Sequence, residues 1–234
     1  MWGIALEGGG TKGAYHVGVL KAITELDIQA SNVVGTSIGA VNGAIFAQGE
    51  LEKLEFIWDN ITSDCIIDLP KDIPVPDNIF DIKNISAFIT ELRKSKGLSI
   101  LPFEELLWEV VNEQRLRAGD VDFGLVTFCL TGKTGKHLFL KDIPEGMLLD
   151  YLVASCCLPG FKAKNIKDNL YLDGGIVNNL PVNMLVEKGV KNIISVEVGG
   201  FGIVKKVSAA GCNVVTVRCS DSVIGMLDFD KEKI

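Results

Sequence analysis

Short apolar runs that stop at glycine alternate with helical periodicity over the first fifty residues. Trp2 to Leu6 is continuous and apolar and is followed at once by Gly8-Gly9-Gly10, which predicts a buried strand ending in a turn. Apolar positions then recur at helical spacing through Ala14, Val17, Leu20 and Ile23, with Leu26 beside them. A second apolar run, Asn32 to Val34, reaches Gly35-Thr36-Ser37-Ile38-Gly39. A helix of small residues follows through Ala40, Val41, Ala44, Ile45 and Ala47, ending at Gly49. Strand, helix, strand, helix at this spacing argues for a parallel sheet with crossover helices.

The pattern is less regular in the middle. Leu51 to Ile61 and Ile82 to Leu92 predict amphipathic helices, joined by a segment carrying Pro70, Pro74 and Pro76. Pro102 is placed to open a third helix running through Leu106, Leu107, Val110 and Val111. Phe123 to Leu130 and His137 to Leu140 read as strands of a hairpin around Thr131-Gly132-Lys133-Thr134-Gly135. A helix from Pro144 to Cys157, a strand Leu170 to Leu172, a helix from Pro181, and strands Asn192 to Val198 and Val214 to Val217 complete the series. With no repeat and no linker rich in Pro, Gly or Ser, the expectation is one α/β domain over residues 1–234, a central mostly parallel sheet flanked by helices.

Composition narrows the function classes. The 234 residues are 47% hydrophobic and 23% charged, a globular balance that excludes wholesale disorder. A formal net charge of −7 argues against a nucleic-acid partner and against a strong electrostatic grip on anionic membranes. The richest apolar stretch, Val33 to Ala47, is broken by Thr36, Ser37 and Asn42, so a buried turn and helix is expected rather than a bilayer span. No basic stretch followed by an apolar core opens the chain, so a cytoplasmic protein is expected. The six cysteines have irregular spacing and no C-x-x-C, a poor pattern for zinc or a disulfide framework. Reduced, mostly buried thiols are expected.

Gly35-Thr36-Ser37-Ile38-Gly39 is a G-x-S-x-G between a predicted strand and a predicted helix, the context a nucleophile elbow requires. Such a turn would present the Ser37 hydroxyl at a helix N-terminus, whose dipole favours developing negative charge. A plain strand-to-helix turn with a capping serine is the alternative. Gly8-Gly9-Gly10-Thr11-Lys12-Gly13, also between strand and helix, offers backbone N–H groups to an anion and could serve as an oxyanion hole. Gly8, Gly10 and Gly13 also fit G-x-G-x-x-G, but the second strand ends in Gly35 and Ser37 rather than in the acidic residue a dinucleotide site requires. A bare tight turn is the third reading.

A serine nucleophile needs a base. Of the two histidines, His16 on the first helix reads as a packed or capping residue, and His137, beside a surface hairpin, as solvent-facing. No histidine follows Asp173, so the Ser, acid, His order of an α/β-hydrolase is disfavoured. Asp173, between the apolar Leu170-Tyr171-Leu172 and Gly174-Gly175, could be a desolvated base or could stabilise its own turn. Asn178, Asn179 and Pro181 read as fixing that turn and starting the next helix.

Taken with Ala154-Ser155-Cys156-Cys157-Leu158-Pro159-Gly160-Phe161, these segments closely resemble the patatin-like phospholipase family over residues 3–200. The resemblance implies a Ser–Asp dyad without histidine. Ser37 would be the nucleophile and Asp173 the general base, with Gly8, Gly9 and Gly10 as the oxyanion hole. Lys12 stands where many relatives carry arginine, and Gly13, Gly35, Gly39, Gly174 and Gly175 are the supporting motif positions. The Ala154–Phe161 segment would wall the site, its two cysteines packing rather than reacting. The implied activity is hydrolysis of phospholipid or other acyl-ester lipids through an acyl-enzyme, with no metal or cofactor and with transient contact to a membrane surface. A catalytically silent lipid-binding or scaffold protein of the same fold is the alternative. Residues 51–115 are expected to supply an apolar trough or lid, and Arg93-Lys94-Ser95-Lys96 either complements a helix dipole or meets lipid headgroups. Many members continue further, so an end at Lys231-Glu232-Lys233-Ile234 reads as a trimmed or minimal member.

Overall fold

The computed structural model describes residues 1–68, 97–208, 210–219 and 225. The expected helix 82–92, the segment with Pro70, Pro74 and Pro76, the basic cluster 93–96 and the charged end 231–234 lie outside the described residues. Strand β1 (Trp2–Leu6) leads through a 3-10 turn (Gly10–Gly13) into α1 (Ala14–Glu25), and β2 (Ala30–Thr36) leads into α2 (Ile38–Ala47). Helices α3 (Leu51–Asn60), α4 (Leu101–Val110) and α5 (Glu113–Ala118) follow. The second half contains β3 (Asp122–Cys129), β4 (Thr134–Phe139), α6 (Leu148–Ser155), β5 (Lys164–Ile166), β6 (Asn169–Asp173), α7 (Val182–Glu187), β7 (Asn192–Glu197) and β8 (Asn213–Arg218).

One sheet in the order β5-β6-β3-β2-β1-β7-β8 joins these strands, with β4 also paired to β3. The run β3-β2-β1-β7-β8 is parallel throughout, while β4 and β6 pair antiparallel to β3 and β5 pairs antiparallel to β6. Alternate residues of the central strands feed two cores. Ile4, Leu6, Val33, Phe123 and Leu125 pack with helices α1 to α4 and α6 on one face. Ala5, Val34, Val126 and Ile193 pack under α7 on the other. Burial on both faces is why these strands read as unbroken apolar runs rather than as alternating ones.

The register places the chemistry. Strand β4 occupies one edge of β3 from Gly124 to Cys129. On the opposite edge β2 pairs with Asp122 to Val126, and β6 takes over from Thr127 to Cys129. Because β2 is parallel and β6 antiparallel to β3, their C-termini point at each other along one edge. Thr36 therefore meets Asp173 end to end, opposite Val126 and Thr127 respectively.

Three local expectations are corrected. Leu26 is 71% exposed because α1 stops at Glu25, and His16 takes the buried position on that helix. The helix expected from Pro144 is confined to Leu148–Ser155, since Gly146 turns the chain at φ 81°. Strand β5, unread in the sequence, forms a hairpin with β6 through Lys167 and Asp168, both at positive φ. That is a type I′ turn made without its usual Asn-Gly signature.

Candidate active site

At the end of β2 the chain reverses into α2 within one residue. Ser37 adopts φ 55° and ψ −130°, a conformation that costs about 1–3 kcal/mol in an ordinary residue and persists only where its surroundings enforce it. Close packing on both sides does so. A Cβ at Gly35 would lie 2.3 Å from the carbonyl of Gly39, and one at Gly39 would lie 2.5 Å from the Leu6 carbonyl oxygen. The Ser37 carbonyl accepts the first bonds of α2, from Ala40 N at 2.8 Å and Val41 N at 3.2 Å. Its N–H donates to Ser155 Oγ at 2.8 Å, and that hydroxyl donates to the Val126 carbonyl at 2.6 Å. Ser37 does not cap its helix with its own side chain. The plain capping-turn alternative is thereby set aside, and its hydroxyl stays available.

Asp173 ends β6 and is 2% exposed. Its N–H bonds to the Cys157 carbonyl at 2.8 Å, and Oδ1 accepts from Gly175 N at 2.7 Å. Its other oxygen, Oδ2, is buried and has no hydrogen-bond donor among the described residues. Burial pushes the carboxyl up from 3.8 to about 6, against the opposing pull of the neighbouring Ser37 hydroxyl and of the Gly175 N–H. A desolvated carboxylate with a vacant oxygen beside a serine hydroxyl is equipped to accept that serine's proton. Asp173 also caps its own 3-10 turn, the structural role read from the sequence.

The glycine loop is held by Asn179 and Glu7, neither of which the sequence marked for this purpose. Asn179 clasps Gly8 at both ends, accepting from its N–H at 3.0 Å and donating Nδ2 to its carbonyl at 2.9 Å. Glu7 Oε2 accepts from Val198 N at 2.6 Å and Gly199 N at 2.9 Å, and Oε1 from Asn179 Nδ2 at 3.4 Å. Lys12 Nζ donates to the Gly199 carbonyl at 2.8 Å, on the same side of the loop. The Gly8 N–H is therefore engaged. Among the described residues, the N–H groups of Gly9, Gly10 and Ile38 have no acceptor. Ile38 was missed in the sequence, although the residue after an elbow nucleophile is a standard oxyanion donor. Asn178, expected only in the turn, accepts from Thr36 Oγ1 through its carbonyl at 2.8 Å and ties the end of β2 to the turn after β6.

His16 is fully buried, as a packed residue should be. His137 departs from the solvent-facing expectation, because it is half-buried and its Nε2 accepts from Asn178 Nδ2 at 3.0 Å. Neither histidine bonds to Ser37 or Asp173 among the described residues. Cys129, Cys156 and Cys157 are buried free thiols. Burial raises Cys156 well above the ordinary thiol value and Cys157 to about 12, so both stay protonated beside Asp173.

A narrow apolar cavity of about 50 Å³ opens onto Ser37 and Gly10. Trp58, Ile61 and Phe103 come from the region 51–115, and Cys156, Leu158 and Phe161 from the expected wall segment. A larger groove of about 530 Å³ lies elsewhere and is rimmed by Glu50, Lys53, Glu113 and Arg117. Its charged lining suits solvent rather than an acyl chain. No helix among the described residues is long and apolar enough to cross a membrane.

The chain is 28% identical over 206 residues to patatin-like phospholipase domain-containing protein 7 of Rattus norvegicus, an alignment covering 84% of this chain and 13% of the relative. It is 30% identical over 205 residues to lysophospholipase NTE1 of Candida albicans, with the same coverage of each. The chain thus spans about an eighth of the length of these relatives. The crystal structure of VipD from Legionella pneumophila superposes with a TM-score of 0.53 at 16% identity, over 85% of this chain and 50% of that one, and shows the same fold. A family model described as patatin-like phospholipase matches residues 4–186, well over half of the chain, which therefore belongs to the patatin-like phospholipase family.

Proposed function

We propose that this chain hydrolyses acyl esters of lipids through an acyl-enzyme on Ser37. The observation that carries this reading is the meeting of a strained elbow serine, a buried carboxylate with one vacant oxygen, and an apolar cavity at a single point. As Ser37 Oγ attacks the ester carbonyl carbon, its proton passes to Asp173 Oδ2. Negative charge developing on the carbonyl oxygen is met by the N–H groups of the Gly9–Gly10 turn and Ile38 and by the N-terminal dipole of α2. Collapse expels the alcohol, which takes the proton from Asp173 and leaves the acyl group on Ser37. Water then attacks the acyl-enzyme as Asp173 again accepts a proton, and collapse releases the fatty acid as that proton returns to Ser37 Oγ. Besides the ester and water, each step uses groups this chain supplies, with the acyl chain entering the apolar cavity beside Ser37. Relatives named as phospholipases and lysophospholipases make a lysophospholipid at a membrane surface the first natural substrate to try.

Hydrolysis of a short p-nitrophenyl ester, followed by a lysophospholipid, tests the reading. Ser37→Ala and Asp173→Asn, each shown to be folded, are expected to lose roughly 10⁴-fold in kcat. A fluorophosphonate should label the wild type and spare Ser37→Ala. Activity that survives Ser37→Ala would remove the nucleophile. A folded wild type that neither turns over nor takes the label would favour the silent lipid-binding alternative.

A further inference from the structure

A buried polar chain lies directly behind the catalytic serine. Asn42, on α2, donates Nδ2 to the Gly13 carbonyl at 2.9 Å and to His16 Nδ1 at 3.2 Å, and accepts from Trp58 Nε1 at 3.1 Å. Asn42 has thus spent both donors and its acceptor, and accepting at Nδ1 fixes a neutral His16 with its proton on Nε2, where no partner meets it. His16, Asn42 and Trp58 are 0%, 1% and 7% exposed. A polar network in an apolar core is tolerated only when its geometry is specific, and this one holds the Trp58 indole by its N–H.

Trp58 stands between two spaces. The cavity at Ser37 is lined in part by Ile38, Trp58, Ile61 and Phe103. Those same four side chains line a second, mostly apolar void of about 20 Å³, whose other walls include Val41, Asn42, Ile45, Leu54 and Leu107. The partition is one side chain thick, and its largest member is the one anchored by a hydrogen bond.

The geometry points to Trp58, positioned by Asn42, as the stop that sets the length of acyl chain the site accepts. The inference rests on the acyl-hydrolase reading of Ser37 and names its substrate class: esters whose acyl chain ends at the indole. Chains longer than the first cavity meet a wall, although apolar space lies immediately behind it. Methylenes admitted to a matching apolar pocket change selectivity by about tenfold or more.

The test is kcat/KM on p-nitrophenyl butyrate, octanoate and laurate. Trp58→Leu and Phe103→Leu both thin the partition and are expected to raise the laurate-to-butyrate ratio about tenfold or more. Trp58→Phe keeps a ring in the partition and should retain the short-chain preference, while Asn42→Ala should loosen it by freeing the indole. An unchanged ratio in both leucine variants, or a loss uniform across chain lengths, overturns the stop. A readout independent of turnover uses Ser37→Ala with and without Trp58→Leu, comparing melting temperatures in laurate and in butyrate. Added stabilisation by laurate only in the double variant supports the stop, and equal response in both overturns it. A wild type inactive on every ester would instead defeat the acyl-hydrolase reading, and the melting comparison would then decide the role of Trp58 alone.

Discussion

In the proposed mechanism, Asp173 is the residue on which chemistry and stability pull in opposite directions. Its carboxyl lies near 6 rather than 3.8 because burial penalises the charged form. As a base it works only when ionised, so kcat/KM should rise with pH through about 6 as a single ionisation. A flat profile between about pH 5 and 8 would remove Asp173 from that role. The stability consequence has the opposite sign. Because the folded value is raised, the unfolded chain ionises first, and stability that is complete below 3.8 is lost as pH rises through about 6. Two pKa units correspond to about 3 kcal/mol. Asp173→Asn keeps an oxygen to accept the Gly175 N–H and cannot ionise. It should therefore be more stable than wild type by up to about 3 kcal/mol near neutral pH and no more stable below about pH 4, as urea unfolding would show. Inactivity combined with a gain in stability is the mark of a functional carboxylate, since a purely structural one would show a loss.

At the scale of elements, strand ends and the loops between them make the site. Strands β1, β2, β6 and β7 each deliver a segment to the same edge, and polar side chains lock those segments together. Glu7 is the central lock, joining the glycine loop to the end of β7 through Val198 N and Gly199 N and to Asn179. Glu7→Ala should orphan both N–H groups at about 1–3 kcal/mol each and lower activity by releasing the loop. Glu7→Gln, which still offers an amide oxygen, should recover most of both losses in denaturant unfolding and ester turnover. A Glu7→Ala variant with unchanged stability would show that water replaces the carboxylate. The glycine spacing announced the two turns, but nothing adjacent to Glu7 in sequence announced its partners, which lie about 190 residues away. Strand β5 escaped for a different reason: it has three residues, and its turn uses Lys167 and Asp168 where glycine or asparagine would have signalled a hairpin.

For the molecule as a whole, His16 ties the buried core to acid stability. Burial lowers its pKa from 6.5 to about 3, so it folds neutral inside the α1–α2–α3 interface. A depressed histidine contributes stability that is present above 6.5 and lost as pH falls through about 3, because the unfolded chain takes up the proton first. The shift corresponds to about 5 kcal/mol over that window. His16→Gln can still accept from Asn42 Nδ2 and does not titrate. Its urea midpoint should therefore fall less steeply than that of the wild type between about pH 6.5 and 3. Parallel curves would place the acid sensitivity elsewhere.

The order of strands and helices, the two tight turns and the serine itself were legible in the chain, because each rests on local rules. Apolar runs buried on both faces make strands, helical spacing makes an amphipathic face, and backbone crowded on both sides of an elbow admits only glycine. The shortage of histidine likewise disfavoured a conventional triad and left Asp173 as the candidate that the proposed function takes up. Tertiary structure alone decided the rest. It set β2 and β6 end to end on one edge of β3, left one oxygen of Asp173 without a donor, and engaged the Gly8 N–H with Asn179. It also drew Trp58, Asn42 and His16 into one chain behind Ser37. These are outcomes of register, burial and hydrogen bonding between segments far apart in sequence, and no local pattern encodes them. The sequence determined which groups were present to react, and packing determined which of them were dry, vacant and within reach.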